Sequence, residues 1–387
     1  MYIVASNKTY LFIERYSSYI LFAIWSCVQI YLFLSLGINT GGESLRALND
    51  AGNLYSGKSL SSPGGYMYFT ETVLIFLKMK AHLGTSAIIL FQLTLNFAAL
   101  IYLQRFLIKF YNSKILAFAG CSLLVICYPY QIYHFSFYTE SVFFSLSIFY
   151  SCYLLKLKSL SLKSATILIA LLFLLCVTRP SGIFFIAATL VYLYFFLTKK
   201  ISAPLRSTIF ILLTCTAVFL LNFMIGLGSG GGIDLILPFK DERIICGVPT
   251  LSYNVNIDTI KNSNSIMGLF YYVTHNFHQF FRLALLKSKV FFGLTRPYYS
   301  LPHNLFLITY FYSLYILILA NFFRKNRKLP MGFIYLFSII LIYWLSVLFS
   351  CDEWHNRFFL TLTPFLIIPA LWLFKGRNSN FPHDAQQ

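Results

Sequence analysis

SSYILFAIWSCVQIYLFLSLGINTGGESLRALND (residues 17–50) decides the class of the fold. Its first part, 17–36, carries no charged side chain and is long enough to cross a hydrocarbon layer, which takes about 20 apolar residues. Lys8 and Arg15 precede it and no small-residue cleavage site follows, so it is expected to remain as a span and not to be removed as a signal peptide. The run then stops at Gly37 and gives way to Gly-Gly-Glu-Ser, with Glu43 and Asp50 just beyond it.

The same alternation continues along the whole chain. Of its 387 residues, 58% are hydrophobic and 11% charged, with mean hydropathy +0.71. A soluble domain carries about 25% charged residues, so an all-α integral membrane protein is expected. Candidate spans are 17–36, 84–104, 115–133, 138–155, 164–178, 181–198, 207–226, 303–323, 331–350 and 357–374, about ten transmembrane helices in one multi-span domain over 1–387. The connections between them sort by charge. One face receives 17 of the 30 basic residues, from Lys8 and Arg15 through Arg105–Lys114, Lys156–Lys163, Lys199–Arg206 and Arg324–Lys328 to Lys375 and Arg377. By the positive-inside rule that face is cytoplasmic, and so are both termini. Ten of the 12 acidic residues fall on the other face; only Glu14 and Asp384 do not. The formal net charge of +18 lies in short loops between spans, so it is no signature of nucleic-acid binding.

Two outer segments are long. The first, 37–83, contains a surface helix over 43–55, with Leu45, Leu48, Gly52 and Tyr55 on one face, Glu43, Arg46, Asp50 and Asn53 on the other, and Gly57 as its stop. The second, 227–302, opens on a GLGSGGG hinge. It ends in 268–293, which contains Arg282, Lys287 and Lys289 and reads as one amphipathic helix on the outer face. If that segment crossed, Arg324–Lys328 would land outside. Six of the eight cysteines sit in apolar runs; Cys246 and Cys351 are in outer segments and could pair.

The outer polar residues are the candidates for chemistry. Glu43 could serve as a general base toward a hydroxyl, with Asp50 on the same helix face; the structural alternative is a pair of solvated charges, with Arg46 bonded to Asp50. Arg179, in CVTRPSG, interrupts an apolar stretch and has the planar fork that suits phosphate oxygens, or else snorkels to the interface. Asp352, Glu353, His355 and Arg357 crowd the start of the last span, where Arg357 could hold a phosphate or pair with Glu353 at i+4. Glu140 opens the fourth span, where the helix dipole favours it. No GxSxG, HExxH or zinc-type Cys/His spacing is present.

At four places the chain resembles the GT-C superfamily of membrane glycosyltransferases. Glu43-Ser44 with Ala51, Leu54 and Gly57 is similar to its first-loop acidic motif. Thr178-Arg179-Pro180 with Gly182, and Glu353 with Arg357, Leu362 and Pro364, are similar to two later ones. Tyr138–Ser141 looks like the YTES of the GPI-anchor mannosyltransferase branch. Departures are Glu in place of the commoner Asp at 43, and the absence of the Trp-Asp of the mannosyltransferase branch. The resemblance implies a GT-C-like fold with interfacial helices on the outer face. It implies an enzyme that moves a hexose from a polyprenyl-phosphate donor to a glycolipid, glycan or protein acceptor, with inversion. On that basis Glu43 is the catalytic base, Arg357 and Arg179 bind the donor's lipid phosphate, and Asp50, Glu140, Glu353, Asp352 and His355 are contacts to sugar, acceptor or metal. No metal-ligand set is assigned. A divalent cation, Mg or Mn, is compatible with the resemblance, but no spacing demands one. Partners are then the bilayer, the lipid-linked sugar and the acceptor, with no nucleic acid. Outer loops without an N-x-S/T sequon favour a bacterial inner membrane and a role in cell-surface polysaccharide. The alternatives are a lipid-linked polysaccharide polymerase or ligase, or a lipid-glycan flippase; the nearly charge-free spans argue against a flippase.

Overall fold

The structure is a computed structural model that describes residues 7–196, 202–227, 235–248, 265–324 and 329–375. Among them every regular element is helical, apart from two isolated β-bridges. In chain order the α-helices are α1 (Asn7–Leu36), α2 (Ser44–Tyr55), α3 (Phe69–Lys80), α4 (Ser86–Tyr111), α5 (Lys114–Ile126), α6 (Tyr128–Gln131), α7 (Glu140–Lys156), α8 (Leu162–Thr178), α9 (Ile183–Phe196), α10 (Ala203–Leu227), α11 (Leu237–Lys240), α12 (Ser265–His275), α13 (Phe277–Gly293), α14 (Leu301–Phe323), α15 (Gly332–Leu348), α16 (Arg357–Thr361) and α17 (Thr363–Leu371).

Several of these helices could span a membrane. Glu14–Leu36, Ser86–Tyr111 and Leu301–Phe323 are long and apolar enough, and α5 with the segment 128–135 makes a fourth that bends by 68°. The bend follows from Cys127, which leaves helical geometry at ψ 78°, and from Pro129, which has no amide to continue the ladder. Other apolar helices, α8, α9 and α15 among them, are shorter, at 17, 14 and 17 residues. One apolar core runs from Leu21 in α1 to Trp372. Side-chain amides cross it where helices meet: Gln29 donates to Gln131 (2.9 Å) and the Trp25 indole to Asn96 (2.8 Å).

The helix ends sort into two poles. At one, Lys156 lies over the Tyr102 ring, Lys375 donates to the Phe110 carbonyl (3.5 Å) and Arg324 to the Leu373 carbonyl (2.6 Å). This pole gathers the C-terminal ends of α4, α7 and α14. At the other pole lie the exit of α1, the start of α7, the end of α8 and the start of α16. A bridge between Asn39 and Ser136 ties the first two together.

Two expectations from the sequence need correction. The α2 helix buries Ser44, Ala47, Asp50 and Ala51, while Leu45 and Tyr55 point outward, so the packed face lies between the two expected ones and takes Asp50 from the polar side. Small side chains there allow α2 to sit against α3, a helix within 37–83 that the sequence pattern did not announce. Segment 268–293 is two helices, broken at Asn276. Its Lys287 is buried, donating to the carbonyls of Leu348 (3.3 Å) and Ser350 (2.5 Å) at the end of α15. The GLGSGGG hinge lies almost wholly outside the described residues. Gly57, by contrast, follows α2 at φ +72°, as a stop should.

Gly182 fixes the turn after α8. A Cβ there would lie 2.5 Å from the carbonyl carbon and oxygen of Leu175, backbone that cannot yield. Gly182→Ala is expected to cost about 2–3 kcal/mol, read as a lowered Tm of the detergent-solubilised protein. An unchanged Tm would refute this account of the turn.

Candidate functional site

Four distant parts of the chain meet at one guanidinium. Arg357 opens α16 and is only 4% exposed. Its Nη1 donates to Glu43 Oε2 (2.5 Å) and Glu140 Oε1 (2.9 Å), and its Nη2 to Glu43 Oε1 (2.8 Å). Glu353 Oε2 is 3.5 Å from Nη2, so the i+4 pair is present as a weaker flank to the main contacts. Glu140 Oε1 also accepts from Arg179 Nη1 at 2.5 Å. The result is a chain of alternating charge, Glu43–Arg357–Glu140–Arg179.

Local structure accounts for each member. Gly42, at φ +61°, turns the backbone so that Glu43 precedes α2; a Cβ on Gly42 would meet the Tyr138 hydroxyl at 2.8 Å. Glu140 is the first residue of α7, where unsatisfied amides favour a carboxylate. Arg179 has left α8 for extended backbone, and its carbonyl accepts from Gly182 N (2.9 Å). Burial separates the roles. Glu140 and Arg179 are shut in, with side-chain exposures of 0% and 6%, whereas the Glu43 side chain is half exposed. A buried charge is tolerable only when paired, so the inner three residues brace one another. Glu43 is the member that solvent or a ligand can reach.

The other candidates lie elsewhere. Asp50 does not join Glu43 or pair with Arg46. It accepts the Ser61 amide (2.9 Å) and so staples the loop after α2, while Arg46 stacks on Tyr68 at 3.7 Å. Asp352 is buried against Arg296, and burial outweighs that partner enough to push its carboxyl up to about 6. The Asp352 backbone pairs with Ile244 and Cys246, beside a disulfide between Cys246 and Cys351. These contacts assign Asp352 to holding its loop in place. His355 is half-buried near Arg357. Burial, with Arg357 second, lowers its affinity for a proton.

Two buried residues of this region escaped sequence reasoning. Arg296 sits in a second Thr-Arg-Pro, 295–297, a repetition that could have drawn notice. Glu71, on α3, is fully buried. Gln92 faces it closely, yet no Glu71 oxygen or Gln92 amide atom completes a hydrogen bond. Among the described residues no three His, Cys, Asp or Glu side chains gather as a cation would require. Glu43, Glu140 and Glu353 all converge on Arg357, an arrangement that does not fit a divalent ion. Comparison with protein-family models, with characterised proteins and with solved structures gives no match to this chain.

Burial raises the Glu71 carboxyl from its ordinary 4.5 to about 8, with Gln92 easing the shift and Glu140 adding to it. The folded protein therefore keeps a proton that the unfolded chain gives up. Stability should be greatest below about pH 4.5 and fall as pH rises through 8. Between pH 5 and pH 8 this one group should cost on the order of 3 kcal/mol. Thermal unfolding of wild type and Glu71→Gln at both pH values checks it. The substitution should remove most of the difference, and an equal slope in both proteins would refute a protonated Glu71.

Proposed function

We propose that this protein is a membrane glycosyltransferase of GT-C type that takes a sugar from a polyprenyl-phosphate donor. The observation that carries the proposal is the bidentate grip of half-exposed Glu43 on buried Arg357. A carboxylate and a phosphate ask the same of an arginine: two parallel oxygens facing its fork. The donor's phosphate would take Arg357 from Glu43. Displaced, Glu43 becomes a free carboxylate beside the bound donor, placed to accept the proton of the acceptor hydroxyl. The acceptor oxygen then forms its bond to the anomeric carbon as the bond to the lipid phosphate breaks, with inversion. The leaving phosphate keeps the electron pair, and Arg357 neutralises its growing charge. Arg179 acts through Glu140, holding the carboxylate that aims Arg357, and is a positioning residue in this scheme. No step uses a metal ion.

The reading extends to topology. Ten crossings, with the basic pole cytoplasmic and the Arg357 pole outside, would satisfy the positive-inside rule. The Cys246–Cys351 disulfide beside the cluster supports an oxidising, outer compartment for that pole. The acceptor would be a glycolipid, glycan or protein on the periplasmic face of a bacterial inner membrane.

Transfer of labelled sugar from polyprenyl-phosphate donors in proteoliposomes, with membrane extract as acceptor source, tests the activity. Glu43→Gln should abolish transfer while leaving Tm within a few degrees; retained turnover removes Glu43 as base. Transfer by neither protein, with protein-dependent movement of the lipid-linked sugar between leaflets, would replace the transferase with a flippase. For topology, a membrane-impermeant phosphine followed by an impermeant maleimide should label Cys246 and Cys351 in right-side-out vesicles. Labelling only in inverted vesicles would reverse the orientation.

A further inference from the structure

Beside the Arg357 cluster, two loops are laced together and present a shelf of rings. The loops are 294–300, which runs into the first turn of α14, and 351–356. Arg296 pairs with Asp352 and donates to the Glu353 carbonyl (3.4 Å). Asn356 donates to the Leu294 carbonyl (2.7 Å), Asn304 accepts the Arg296 amide (3.0 Å), and the Tyr298 hydroxyl bonds the Trp354 carbonyl. Above this buried lacing the rings adjoin in series. Tyr298 lies 5.5 Å from Trp354, Trp354 4.4 Å from His355, and Tyr299 4.2 Å from His303; Tyr299 and His355 are parallel within 3° at 6.3 Å. Trp354 and Tyr298 are 42% and 41% exposed.

Aromatic residues at a membrane–water interface need no further role when they ride on helix ends. Here they sit on loops held by a fully buried ion pair, an expensive way to display rings unless their placement matters. Their neighbours narrow the occupant. Glu353, next to Trp354 in the chain, reaches toward Arg357, and His355 lies in the field of Arg357, Glu140 and Glu43. The shelf thus offers flat apolar faces bordered by hydrogen-bonding groups, and both of its arginines, Arg296 and Arg357, are buried and paired. With Arg357 taken by the donor's phosphate and Arg296 sealed against Asp352, a nucleotide would find no second cation for its own phosphate, and an acyl chain would gain nothing from a carboxylate. A pyranose ring meets both demands, with one face of C–H groups for stacking and hydroxyls at its rim.

We infer that this shelf is the acceptor subsite, stacking a sugar ring of a glycan acceptor on Trp354 and its neighbouring tyrosines, with Glu353 and His355 bonding its hydroxyls. The inference rests on the transferase reading but can fail separately from it. Trp354 contributes its backbone carbonyl to the lacing, so its side chain can be changed while that bond remains.

Two measurements test it. In the transfer assay, Trp354→Ala should raise the acceptor KM about tenfold with donor KM and kcat near wild type, and Trp354→Phe should restore most of the loss. Saturation-transfer NMR on detergent-solubilised protein, with methyl mannoside, methyl glucoside and methyl N-acetylglucosaminide as probes, should show saturation of ring C–H groups by wild type and none by Trp354→Ala. Transfer with an unchanged acceptor KM in Trp354→Ala overturns the shelf and leaves the transferase standing. Probe saturation that Trp354→Ala abolishes, in a protein without transfer activity, would keep the shelf as a sugar site and sink the transferase. A lowered Tm as the sole effect of Trp354→Ala, or no saturation of any probe by wild type, overturns the inference. Tyr298→Phe, which removes a lacing hydroxyl but keeps the ring, should lower Tm more than it changes acceptor KM; the reverse also counts against the shelf.

Discussion

The Arg357 guanidinium is the point at which the acidic pole closes. Its partners come from residues 43 and 140, and through Glu140 from 179, so the exit of α1, the start of α7, the end of α8 and the start of α16 must coincide. Three of these four charges are buried, and removing one would strand another without compensation, typically a loss of about 3–5 kcal/mol. The cluster therefore demands a single arrangement of the surrounding helices. The tight turn at Gly182 and the close approach of Tyr138 to Gly42 are local features that make that arrangement reachable.

Much of this was legible in the sequence because charge is scarce there. In a chain with 11% charged residues, an arginine or carboxylate at the edge of an apolar run stands out. Glu43, Glu140, Arg179, Glu353 and Arg357 all stand out that way, and the structure brings them together. Spacing could not show which pairs would form. Asp50, seven residues from Glu43, was expected to share its face; instead it turns inward to the Ser61 amide. The error has a physical origin. Apolar periodicity marks the inside of a protein only when water is outside. In a chain with several helices apolar enough to cross a membrane, an outward Leu45 and Tyr55 do not mark the core, and the packed face of α2 is the one with Ala47, Asp50 and Ala51.

Helix boundaries were the other limit. Residues 115–133 read as one span but break at Cys127, and 268–293 reads as one helix but breaks at Asn276. Composition integrates over a window and cannot see one residue leave helical geometry. Arg296 and Glu71 were missed for a different reason. Each is an isolated charge whose meaning depends on a partner far along the chain: Asp352, 56 residues on, for the first, and Gln92 with the neighbouring Glu140 for the second.

Charge balance at the cluster limits what a ligand can do there. Glu43, Glu140 and Glu353 already outnumber Arg179 and Arg357, and Glu71 lies close enough to feel Glu140. An anion arriving at Arg357 would add to an excess of negative charge unless a carboxylate withdrew. Glu140 is bonded on both sides and sealed from solvent; Glu353 is already at the edge of contact. Glu43 alone combines direct hold on the guanidinium with a half-exposed side chain that water can receive. If a phosphate binds, electrostatics selects Glu43 as the group that leaves, and proton acceptance then falls to the residue that phosphate binding has just set free.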